Sequence, residues 1–162
     1  MNPLSIIGLF CEDIREEKGD VLTLVGLMPD NVNVEAVQRE GKRAENMPFS
    51  VNRVLSKLCV YARANFDPHD PIQEIGLNLV LPNGQKISIG GAVPEFVERA
   101  KVEAKEKNSP LAGVIMRAVL VGFVLPEAGI LRLEASIGAE MRLLAVLNFL
   151  IAETSTSIAV KK

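Results

Sequence analysis

Gln73-Glu74-Ile75-Gly76-Leu77-Asn78-Leu79-Val80-Leu81-Pro82-Asn83-Gly84-Gln85-Lys86-Ile87-Ser88-Ile89-Gly90-Gly91 is the stretch that decides the fold class. Ile75, Leu77, Leu79 and Leu81 recur at every second position, with Glu74 and Asn78 on the other face. A period of two is a strand that turns one face to a core. After Pro82-Asn83-Gly84, Ile87 and Ile89 alternate with Lys86 and Ser88, which makes a second strand. Loop length then sets the pairing. A two-residue Asn-Gly loop would put Leu81 beside Lys86 and Leu79 beside Ser88, apolar against polar. A three-residue loop pairs Leu79 with Ile87 and Leu77 with Ile89. Proline at the second turn position, and glycine in the left-handed position after it, suit a type I turn with a bulge. The spacing predicts the three-residue loop.

The same alternation extends in both directions. Residues 4–14 and 21–28 read as a hairpin closed by the polar run Arg15-Glu16-Glu17-Lys18-Gly19-Asp20, and Val32 and Val34 suggest a short third strand. Leu58 to Phe66 alternate until Asp67-Pro68-His69-Asp70-Pro71, where proline cannot donate to a ladder. Residues 111–125, 129–137 and 141–151 complete the strands. One helix is expected over 94–107. Pro94 suits its first position, Glu95 and Glu98 its start, Lys105 and Lys107 its end, and Phe96, Ala100 and Ala104 form a thin apolar stripe. Residues 35–56 are charged and without period and read as an exposed loop. The pattern predicts a mainly β chain: a two-layer antiparallel β-sandwich of eight or nine strands with one surface helix, in a single domain over 1–162.

Composition agrees with that class. The chain has 162 residues, 48% of them hydrophobic, with no Trp and one Tyr, so Leu, Ile, Val, Ala and six Phe must build the core. Its net charge is −2 and its pI about 5.5, with the basic residues scattered, which argues against a nucleic-acid partner. The apolar runs 111–125 and 141–151 are shorter than the ~20 residues of a membrane-spanning helix, and Arg117 and Arg142 interrupt them. A cytoplasmic protein without membrane contact is expected, with Cys11 and Cys59 reduced and buried.

Phe10-Cys11-Glu12-Asp13-Ile14-Arg15, followed by Leu22-Thr23-Leu24-Val25-Gly26 and Lys57-Leu58-Cys59-Val60, resembles a family of small uncharacterised bacterial and phage proteins. Pro126 to Glu134 is similar to the last hairpin of that family and of other Ig-like or C2-like sandwiches. The resemblance covers the chain outside 35–56. It implies the sandwich fold and carries no activity, cofactor or site residue.

Three constellations invite a chemical reading, and each has a plainer one. On a strand Asp13 and Arg15 share a face and Glu12 points away, so the trio suits a surface ion pair better than facing catalytic carboxylates. Asp67, His69 and Asp70 offer two carboxylates where calcium takes six to eight oxygens; Asp20 or Asp30 would have to join them to hold a metal for a hydrolase. Cys11 and Cys59 lie mid-strand among apolar residues, where thiols are inert, and the lone His69 sits in a proline-bounded loop. Gly90-Gly91 precedes the helix, but Pro94 removes a donor where a phosphate would need one. No catalytic, cofactor or metal residue is assigned on this pattern. The leading expectation is a non-catalytic module that binds another protein or copies of itself; a metal-dependent hydrolase and a phage structural component are the alternatives. The partner expectation rests on 111–125 and 141–151. In the first, Val114, Met116, Leu120 and Val124 oppose Ile115, Val119, Val121 and Phe123. In the second, Met141, Leu143, Ala145, Leu147, Phe149 and Ile151 oppose Leu144, Val146 and Leu150. A sandwich strand needs only one apolar face, so a homo-oligomer is expected.

Overall fold

The central hairpin forms with its three-residue loop. Leu81 N–H donates to the Gln85 carbonyl at 2.8 Å, Gly84 N–H donates to the Leu81 carbonyl at 2.9 Å, and Gly84 takes φ +83°. Leu79 faces Ile87 as the pattern requires. Leu77, however, faces Gly90 rather than Ile89, because a bulge between Leu77 and Asn78 leaves Ile89 without a partner. Next to the bulge the two backbones approach closely. A Cβ on Gly91 would lie 2.1 Å from the Ile75 carbonyl oxygen, and Gly91 adopts φ +150°. Only glycine fits there.

A computed structural model describes residues 4–19, 21–35, 53–125 and 127–152. In chain order these form β1 (Ser5–Glu16), β2 (Leu22–Leu27), β3 (Asn31–Glu35), β4 (Arg53–Phe66), β5 (Ile75–Val80), β6 (Lys86–Ala92), α1 (Pro94–Glu106), β7 (Ala112–Leu125), β8 (Gly129–Ile137) and β9 (Glu140–Ala152). The expected loop over 35–56 is shorter at both ends. Glu35 closes β3, Arg53 opens β4, and Leu55 already packs on the core; the remainder, 36–52, lies outside the described residues.

Two sheets face each other, with strand orders β2-β1-β4-β7 and β3-β9-β8-β5-β6. All neighbours run antiparallel except β3 and β9, which run parallel from Asn31 beside Asn148 to Glu35 beside Ala152. The chain crosses between the sheets at Pro29-Asp30, and the Asp30 carbonyl accepts the Asn148 N–H at 2.8 Å. The core between the layers has two parts. Phe66, Ile75, Leu77, Val97 and Met116 centre one, and Leu58, Val60, Leu79, Leu133 and Phe149 the other. Burying a large aliphatic or Phe side chain contributes about 1.5–3 kcal/mol.

α1 spans Pro94–Glu106 with proline in its first turn, as predicted, but its buried face is rotated. Val97, Lys101 and Ala104 point inward, at helical spacing, while Phe96 is half exposed under the Arg99 guanidinium, 5.1 Å from the ring centre. A polar residue hid this face from the pattern. The Lys101 stem is buried, and its Nζ donates to the Ile72 carbonyl and to Glu98 Oε1, each at 2.7 Å. α1 packs on β7 and touches β6, where the edges of the two sheets approach one another. Among the described residues no helix is long and apolar enough to cross a membrane.

The layers approach closely at Gly8. A Cβ there would lie 2.7 Å from Leu133 Cδ2 and 2.8 Å from Leu144 Cβ. Gly8→Ala should therefore destabilise the fold by about 1–3 kcal/mol through overpacking, read as a lowered urea midpoint with an unchanged m-value.

Candidate interaction surface

The polar candidates resolve into turns and ion pairs. Asp67 Oδ1 accepts the His69 N–H at 2.9 Å, and the Asp67 carbonyl accepts the Asp70 N–H at 2.9 Å, which closes the expected turn. Among the described residues no three His, Cys, Asp or Glu side chains are grouped to hold a metal ion. Asp13 accepts from Arg15 Nε at 3.1 Å and also pairs with Lys57 on β4. The hydrogen bond from Lys57, then that from Arg15, holds the Asp13 carboxyl below its ordinary value, and the same contact raises Lys57.

β1 pairs with β4 only from Ser5 to Cys11, and from there to Glu16 it pairs with β2. Glu16, at the end of β1, forms an ion pair with Arg117 of β7, a strand two places away in the sheet. Glu16, Glu17 and Leu22 line an open recess with Arg99, Ile115 and Arg117. The far end of the hairpin thus lies over the outer face of β7. Nothing in the sequence pairs residue 16 with residue 117.

Cys11 and Cys59 stand directly opposite one another where β1 meets β4, both free and both fully buried. The Cys59 thiol lies 3.5 Å from the Glu12 carbonyl. Burial, helped by Cys59 and Asp13, pushes the Cys11 thiol up to about 11, and burial also raises Cys59. A thiol so held is a poor nucleophile.

The apolar surfaces differ from strict alternation in a specific way. Along β7, Val114 and Met116 are buried and Ile115, Val119 and Val121 exposed, as the pattern predicts. At Gly122, with φ +64°, the strand changes face: Phe123 packs on the core and Val124 is exposed, the reverse of the expected assignment. In β9 a bulge does the same. Leu133 of β8 pairs with Ala145 and Glu134 with Leu143, so Leu144 is the extra residue. Leu144 packs inward between both parts of the core, and Leu147 and Phe149 follow it in. Met141, Leu143, Val146 and Leu150 are left outward and exposed. Leu144 and Leu120, both packed on the core, therefore belong to the fold rather than to an interface.

Two apolar surfaces result, on opposite faces of the sandwich. One carries Ile115, Val119, Val121 and Val124 on β7. The other carries Met141, Leu143, Val146 and Leu150 on β9 and Ile130 on β8, beside the polar β8 residues Arg132, Glu134 and Ser136. No protein-family model, curated protein or solved structure matches the chain.

The buried thiol pair makes stability depend on alkaline pH. Because the folded state keeps the Cys11 proton longer, the unfolded chain loses its proton first, and stability falls as pH rises from the ordinary value 9.0 through about 11. Urea unfolding across that range should show a steeper loss for the wild type than for Cys11→Ala.

Proposed function

We propose that the chain is a non-catalytic β-sandwich module that works by self-association, of a kind with the small bacterial and phage proteins its first and last hairpins resemble. One observation carries this reading: the outward sides of both sheets keep clusters of exposed Val, Leu, Ile and Met. Monomeric proteins seldom leave contiguous apolar patches beyond a few hundred Å² in water. The thiols and carboxylates do not compete with it. The thiols are buried and held protonated, and Asp13 is engaged by two cations.

The arrangement also favours a structural component over a simple pair. An isologous dimer covers the same patch on each subunit. With apolar clusters on opposite faces, a dimer through one leaves the other uncovered, and further copies add there.

Light scattering at micromolar concentration should give a mass of at least two chains of 17.6 kDa each. Leu143→Glu, on an exposed position, should keep the far-UV CD spectrum and weaken association by about 2 kcal/mol, roughly 30-fold in Kd. A single-chain mass for the wild type would defeat the proposal.

A further inference from the structure

Among the described residues the two sheets have four edges, and these are not protected alike. β2, β3 and β6, at three of them, have 6, 5 and 7 residues. Short length guards each, and β6 adds Lys86, a bulge and the glycines Gly90 and Gly91. β7, at the fourth edge, has 14 residues. Its first half has a cover, since Phe96, Arg99 and Ala100 of α1 lie beside Gly113 to Arg117. Its second half is Ala118-Val119-Leu120-Val121-Gly122-Phe123-Val124-Leu125, which contains no charged residue, no polar side chain and no proline. Among the described residues β4 is the only strand hydrogen-bonded to it; β6 approaches β7 without pairing. Val121 is 79% exposed, Val119 52% and Val124 51%.

We infer that Ala118–Leu125 pairs edge to edge with the same segment of a second copy, antiparallel about a twofold axis, and joins two four-stranded sheets into one. This rests on the self-association reading and names the surface it uses. An open backbone edge selects an extended strand as its occupant, because only a strand can meet successive N–H and C=O groups. A second copy suits this edge because the segment is complementary to itself. Two uncharged apolar strands meet with no like charges opposed and no polar side chain stranded, and the valines drawn together are those left exposed. Arg117, at the start of the segment, already pairs with Glu16, and Lys57, opposite Val121 on β4, pairs with Asp13.

Amide hydrogen exchange on the full wild-type chain tests this without any substitution. Amides of 118–125 should exchange roughly tenfold more slowly in concentrated than in dilute protein. Val121→Lys, at an exposed position, should keep the wild-type CD spectrum, lower the mass below that of the wild type and abolish that concentration dependence. An oligomeric wild type with fast exchange at 118–125 at every concentration would reject edge pairing and leave self-association standing. So would a folded Val121→Lys of unchanged mass. A monomeric wild type would reject both.

Discussion

A strand has two faces, and a two-layer sandwich buries only one of them. The rest of this structure follows from how the chain meets that constraint with strands that are apolar on both. In β9 the meeting point is Leu144. Inserted as an extra residue opposite β8, it fills the gap beside Gly8 and turns the following residues by one face. Without that turn Leu147 and Phe149, which are fully buried, would face outward. Gly122 does the equivalent in β7, sending Phe123 to the core and Val124 out. Both adjustments fill the core well, and both leave apolar residues on the outside.

The outside is therefore where the apolar excess is left. Core filling accounts for Leu131, Leu133 and Leu147, but it does not account for Leu143, Val121 or Ile115, which could be polar without loss to the layers. Their burial becomes favourable only when another surface covers them, and the gain must exceed the entropy lost on association. The hairpin swung over β7 and the α1 helix cover part of this surface already. The ion pair of Glu16 with Arg117 and the exposed Phe96 beside Arg99 mark the limit of that internal cover.

Periodicity made the strands, the central turn and the helix legible, because each is written in neighbouring residues. Leu79 beside Ile87 followed from matching apolar residues across a three-residue loop. What escaped depends on residues distant in sequence. Gly91 presses on Ile75, Leu144 on Gly8, and Glu16 reaches Arg117, and no local pattern encodes any of these approaches. The parallel run of β3 beside β9 is of the same kind. Lys101 escaped for another reason: a polar label concealed a buried hydrocarbon stem. At the candidate surface the excess of apolar residues was visible, but which face of 141–151 carried it was not, since a single bulge reverses the answer.

The central claim is that these uncovered residues are stabilised by a further copy of the chain, so that folding and association are coupled. Such coupling makes apparent stability depend on protein concentration by mass action. The most direct measurement is the urea midpoint of the wild type over a hundredfold range of protein concentration. A midpoint that rises steadily with concentration is the expected result. A midpoint that stays constant throughout the range would contradict the account.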